Sequence, residues 1–125
     1  RFLLALKVCL VKGAKKRTLL FDEIDRGVGG STADAIGRRL LELSKFGQVI
    51  TVTHSPQVAA LASNHYQVLK KMSKSGDILI QINELTGKLR IDELARMISG
   101  KIITEEARAA ARILLEDGED ISQLN

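Results

Sequence analysis

A strand, a helix and a second strand follow one another in residues 18–53, and this pattern constrains the fold more than any other feature. Residues 18–21 form a short apolar run with charge on both sides, which predicts a strand buried on both faces of a largely parallel sheet. Apolar residues then recur at helical spacing up to Phe46, and Ser31 or Thr32 can cap the N-terminus of this helix. Residues 48–53 are a second, β-branched strand, so the segment predicts a βαβ unit.

The remaining elements are predicted from apolar spacing and turn residues. Dense apolar residues predict a mostly buried helix over residues 1–12, and Pro56 starts a short helix that ends at Ala60 or Leu61. Strands are expected at residues 66–70 and 78–85, as a hairpin at an edge of the sheet. Two amphipathic helices and a frayed tail complete the prediction, at residues 91–99, 104–115 and 117–125. The expected fold class is α/β, with a mainly parallel sheet flanked by helices.

Composition narrows the classes of function. The chain has 125 residues, enough for about one domain, and 45% of them are hydrophobic, which is enough for a core. Aromatic residues make up 3% and Trp is absent, so the core is aliphatic and base-stacking platforms for single strands are nearly excluded. No apolar run reaches the roughly 18 residues that a membrane span needs, and we expect no membrane contact.

The charge distribution, the single cysteine and the first residue bear on the cellular setting of the chain, but they identify no partner. The net charge is +4, and residues 1–17 hold six basic residues and no acid. Such a cluster permits contact with a polyanion without requiring it, and a solvated face is the commoner explanation. The single Cys9 reads as a core residue in a reducing compartment, which predicts the cytoplasm. Arg1 stands where an initiator Met is usual, so we expect the chain to begin inside a longer gene product.

Polar residues whose side chains could take part in binding or catalysis follow both strands of the βαβ unit. Asp22 and Glu23 come directly after the first strand, and His54 follows the second. Ligands of an open parallel sheet bind beyond the carboxyl ends of its strands, so these residues can converge on one bound phosphate. Asp22 suits a hydrated Mg²⁺ ion, Glu23 can accept a proton from an attacking water, and His54 can donate toward a terminal phosphate. Taken singly, such acids are also common as loop starters or helix caps, and such histidines as turn residues.

The spacing of these residues carries a family resemblance. Residues 19–56 read LLFDEIDRGVGGSTADAIGRRLLELSKFGQVITVTHSP. This segment resembles the Walker B, D-loop and switch-histidine region of an SMC-like ABC ATPase head. The resemblance implies that residues 1–125 are the C-terminal lobe of a P-loop NTPase head. It also implies that Asp22 holds Mg²⁺ through water, that Glu23 is the general base and that His54 contacts the γ-phosphate of ATP. The D-loop positions that it implies are Asp25, Gly27, Gly29 and Gly30.

The sequence departs from the family pattern in two ways. Gly29 stands where ABC proteins commonly have a D-loop aspartate, so the role of that aspartate is not carried over. The phosphate-binding pattern G-x-x-x-x-G-K-[ST], the signature motif and a long heptad stretch are absent from the sequence. The resemblance therefore implies that ATP and Mg²⁺ bind only together with the N-terminal half of the same head, and that the chain is inactive alone.

By the same resemblance, the complete protein forms a head-to-head homodimer in the bacterial cytoplasm, in association with the nucleoid. It would act on DNA in the recombinational repair of double-strand breaks. Two other functions stay open. One is a DNA-binding module that uses the basic residues Arg1, Lys12, Lys15, Lys16 and Arg17. The other is a protein-interaction module whose helices pack on a partner.

Overall fold

The computed structural model describes residues 18–73 and 76–123, and within them it has four strands and four helices. In chain order these are β1 (Thr18–Asp22), α1 (Gly30–Ser44), β2 (Gln48–Val52), α2 (Pro56–Ala60), β3 (His65–Met72), β4 (Ile78–Leu85), α3 (Gly87–Ser99) and α4 (Glu105–Gln123). The chain is therefore of the α/β class, as predicted.

The predicted βαβ unit is confirmed. Strands β1 and β2 pair in parallel, with Thr18 opposite Gln48 and Asp22 opposite Val52. Helix α1 connects them and buries an aliphatic stripe against one face of the pair, because its apolar residues recur at helical spacing. That stripe consists of Ala33, Ile36, Leu40 and Leu43. The helix is preceded by Gly29 rather than capped by Ser31 or Thr32, and no side chain caps its N-terminus.

The expectation of one mainly parallel sheet is correct only in part. The described strands form two separate two-stranded sheets, β1 with β2 and the antiparallel hairpin of β3 with β4. The hairpin strands pair with each other along eight consecutive residues, from His65 opposite Leu85 to Met72 opposite Ile78, and neither pairs with β1 or β2. The prediction that β1 is buried on both faces is also wrong for the described part of the chain. Phe21 is 5% exposed beneath α1, whereas Leu20 on the opposite face is 66% exposed.

Helix α2 joins two aliphatic clusters. Its Val58 lies in the cluster between α1 and the parallel strands, and Ala59 and Ala60 lie in a second cluster with α3 and α4. Helix α1 approaches α2 closely at Gly37, where a Cβ would lie 2.6 Å from the Leu61 side chain and would force it to move. The short helix that directly follows the end of β2 is thus held from both sides.

The C-terminal helix is longer than the sequence predicted. A frayed tail was expected over residues 117–125, but α4 continues to Gln123. The reason is packing beyond Leu115: Gly118 is buried, and a Cβ there would lie 3.0 Å from the carbonyl oxygen of Ala60. Helix α3 likewise begins at Gly87, one turn earlier than the predicted residue 91.

Two predictions fall outside the described residues, namely the helix over residues 1–12 with Cys9 and the basic residues up to Arg17. Among residues 18–73 and 76–123, the structure contains no helix that is both long and apolar enough to cross a membrane.

Stability of the fold should decrease in mild acid because of His65. Burial lowers the pKa of His65 below its ordinary value of 6.5, the Arg90 guanidinium lowers it further, and Glu93 acts in the opposite direction. Below pH 6.5 the unfolded chain therefore binds a proton that the folded chain does not, so the free energy of unfolding falls with pH until the folded pKa is passed. Urea unfolding between about pH 8 and about pH 5.5 measures this decrease, and H65Q should flatten it.

A second acid window is separate from this one. Hydrogen bonds from Arg96 lower the pKa of Glu93 below 4.5, so the stabilisation that Glu93 provides is lost only at lower pH. If H65Q has the same pH dependence as the unaltered chain above about pH 5, His65 is not the group responsible.

Candidate functional site

The ends of the two parallel strands lie side by side. Asp22, the last residue of β1, is opposite Val52, the last residue of β2. The backbone N–H of Glu23 donates to the carbonyl oxygen of Val52 at 2.9 Å, so the pairing extends one residue beyond the strand. His54 follows Val52 by two residues. Asp22, Glu23 and His54 are all exposed, and the register places them at the same edge of the sheet.

The backbone turns sharply at Glu23. Its φ of 45° lies in the left-handed region, which is uncommon for a residue other than glycine and costs about 1 kcal/mol or more. The hydrogen bond to Val52 on one side and one from the Arg26 N–H to the Glu23 carbonyl, 3.0 Å, on the other hold this turn. The Glu23 carboxylate is 3.5 Å from the Arg26 guanidinium, and both side chains are exposed, so this ion pair is weak.

A buried carboxylate lies behind the exposed residues. Asp25 is only 2% exposed, and the Thr53 hydroxyl donates to its Oδ2. The same Thr53 oxygen accepts the backbone N–H of Ser55 at 2.9 Å, and the Ser55 hydroxyl donates to Gln57 at 2.8 Å. The loop after β1 is thereby linked to the loop after β2. The sequence analysis did not assign a role to Thr53 or Ser55. The available signal was one hydroxyl residue on each side of His54.

The predicted glycines lead from this edge into α1. Gly27 has a φ of +72°, a conformation in which glycine is favoured, and it closes the turn after Asp25. The carbonyl of Gly29 accepts the backbone N–H of Ala33 at 2.9 Å and thus begins the helix. Gly30 is the first helical residue, and a Cβ there would lie 3.4 Å from the Gln57 amide nitrogen. The glycines therefore shape the loop and its approach to the residues after His54.

The chemistry of Asp22 is compatible with a hydrated metal ion. In the described part of the chain, no three His, Cys, Asp or Glu side chains are grouped so that they could hold a metal ion by themselves. Asp22 is exposed and offers a single carboxylate, which Mg²⁺ can use when water and substrate phosphates supply its other ligands.

Comparison with known proteins identifies a relative along nearly the whole chain. A scan against protein-family models finds no match. A protein from Rickettsia felis with the name DNA repair protein RecN is 46% identical over 115 residues, which is 92% of this chain and 21% of that protein. The chain is homologous to a segment of DNA repair protein RecN. RecN of Mycobacterium leprae is 47% identical over 93% of the chain, and RecN of Streptomyces coelicolor is 44% identical over 93%.

The chain spans about a fifth of the length of these RecN proteins. The homology extends across both strand ends and the loops after them, because at most a tenth of the chain lies outside the match.

Proposed function

We propose that this chain supplies the Walker B and switch-histidine residues of an ATP-hydrolysing site in a DNA repair protein of the RecN type. The observation that carries the proposal is the register of β1 and β2, which brings Asp22, Glu23 and the segment before His54 to one edge of the sheet. Such an edge is where phosphate ligands of open parallel sheets bind. The 46% identity to a protein with the name DNA repair protein RecN supports the biological setting.

The proposed roles follow from the chemistry of each side chain. Asp22 would hold Mg²⁺ through water, and the bound ion would supply positive charge beside the phosphates. Glu23 orients a water beside the γ-phosphate and accepts its proton, for which an exposed carboxylate on a rigid turn is suited. His54 donates a hydrogen bond to a γ-phosphate oxygen, where negative charge develops during transfer.

The proposal includes partners, because the sequence has no G-x-x-x-x-G-K-[ST] loop to hold the β- and γ-phosphates. Residues 1–125 would form the C-terminal lobe of a head that the N-terminal half of the same protein completes. Two such heads would join when ATP binds, and the complete protein would act on DNA double-strand breaks by recombination in the bacterial cytoplasm, at the nucleoid.

A protein-interaction module without ATPase activity is the second candidate, and one observation favours it. Val68, Ile80 and Ile82 lie on one face of the β3–β4 hairpin, and each is more than 60% exposed. Exposed apolar patches of this kind are typical of surfaces that contact another protein segment. A DNA-binding version of this candidate would depend on the basic residues before Thr18, and its affinity would fall steeply with salt.

Histidine substitution in the complete protein tests the proposed site. Replacing His54 by Ala should lower kcat for ATP hydrolysis by about 10-fold or more, because a donor toward the developing phosphate charge is lost. The matched variant H65A changes the other histidine, which begins β3 and lies outside the strand-end edge. Steady-state ATPase kinetics of both variants test the assignment. Equal losses of kcat in H54A and H65A would argue against a phosphate contact by His54.

A further inference from the structure

The mechanism proposed above leaves one buried ionisable group without a role. Asp25 is 2% exposed, and burying a carboxylate is costly unless hydrogen bonds compensate. In the described part of the chain, its Oδ2 accepts from the Thr53 hydroxyl, 28 residues away in sequence, and its Oδ1 is buried without a hydrogen-bond partner. An ordinary loop aspartate would point to solvent. The burial of Asp25 therefore indicates that this contact between the two loops is specifically built.

Thr53 connects Asp25 to the backbone around His54. Its hydroxyl donates to Asp25 and its oxygen accepts the N–H of Ser55 at 2.9 Å, so the residues before and after His54 are both fixed. The His54 side chain is exposed, and within residues 18–73 and 76–123 it makes no side-chain hydrogen bond. The direction in which its imidazole leaves the backbone is consequently set by its two neighbours.

The loop that contains Asp25 also contains Glu23. Asp25 follows Glu23 by two residues, and the backbone N–H of Glu23 donates to the Val52 carbonyl at 2.9 Å. Two links thus join the loops, one at Glu23 and Val52 and one at Asp25 and Thr53. Two separate attachments prevent one loop from pivoting on the other. The separation between the backbones at Glu23 and His54 is therefore fixed by hydrogen bonds.

We infer that Asp25 is a positioning residue, which acts through Thr53 to hold His54 at a set distance from Glu23. This inference rests on the proposed function, since it assigns to Asp25 the alignment of the two groups that would act on the γ-phosphate. Asp25 contacts neither nucleotide nor metal in this role. Residues that orient catalytic groups in this way typically change activity by about 10- to 100-fold when they are lost.

Four variants of the complete protein test the inference by ATPase kinetics. D25A should lower kcat by about 10- to 100-fold and leave KM for ATP within about 3-fold. D25N should restore most of kcat, because its amide oxygen can still accept from Thr53. T53V should match D25A, and the double variant D25A/T53V should lose no more than either single variant, since both remove the same link.

The control is T51V, which removes a hydroxyl two residues before Thr53, within β2. The Thr51 hydroxyl is buried and has no hydrogen-bond partner in the described part of the chain, so kcat of T51V should stay within about 3-fold of the unaltered protein. A loss in D25N as large as that in D25A, or a loss in T51V as large as that in T53V, would overturn the inference. An unchanged kcat in D25A would overturn it as well.

Amide hydrogen exchange separates this inference from the proposed function. The Ser55 N–H is protected by Thr53, so its exchange should accelerate in D25A and T53V but not in T51V, with or without ATP. If the unaltered protein hydrolyses no ATP, the proposed function fails, while accelerated exchange still supports the link. Unaltered Ser55 exchange in D25A overturns the link itself.

Discussion

Replacement of Glu23 by Gln in the complete protein should lower kcat for ATP hydrolysis by about 100-fold or more. Glutamine preserves the length of the side chain and its ability to hydrogen bond, but it cannot accept a proton from the attacking water. The backbone around residue 23 should not change, because its N–H bond to Val52 and its turn do not involve the carboxylate. Steady-state and single-turnover ATPase assays measure the loss.

Nucleotide binding separates a general base from a binding residue. If Glu23 acts as the base, ATP affinity of E23Q should stay within about 3-fold of the unaltered protein, as titration calorimetry with Mg-ATP would show. The matched control is E42Q, the same change on the exposed side of α1, where Glu42 pairs with Arg39. Unchanged turnover in E23Q would refute the assigned role, and a loss of affinity equal to the loss of kcat would assign Glu23 to binding.

Local pattern predicted the elements of the fold, and tertiary contacts decided how they combine. The βαβ unit was predictable because the apolar run of β1, the β-branched run of β2 and the helical spacing of α1 are local properties. The hairpin was predictable from its turn residues, whereas its separation from the parallel pair depends on pairing partners that no local pattern specifies. The end of α4 was misjudged because residues near a chain end are usually poorly ordered, and the packing of Gly118 on Ala60 is a long-range contact.

The candidate site divides in the same way. Asp22, Glu23 and His54 could be placed at one edge because each directly follows a strand, and parallel strands bring their carboxyl ends together. The link from Asp25 to Thr53 could not be predicted, since it depends on the rotation of two loops that lie 28 residues apart. Aspartate is rarely buried in proteins, so the residue type alone would favour an exposed position for Asp25.

The second large effect concerns the second cluster and is independent of any catalytic role. Leu94 on α3 is fully buried, and its buried neighbours in the cluster are alanines, Ala59, Ala60, Ala95, Ala107 and Ala111. Alanine has no rotamers with which to fill a void. Larger side chains such as Met97 and Leu114 pack against the cluster and can fill only part of a void. L94A should therefore lower the free energy of unfolding by about 2–5 kcal/mol. Urea unfolding of the chain measures the change.

The same helix offers the matched control. Leu89 lies five residues earlier on α3 and is 61% exposed, so L89A removes the same atoms from a site that is largely in water. Its cost should stay below about 1 kcal/mol, because little buried area is lost and alanine favours the helix. Equal costs in the two variants would show that this cluster is loosely packed. A large difference would instead show that α2, which follows His54 and contributes Ala59 and Ala60, rests on a rigid support.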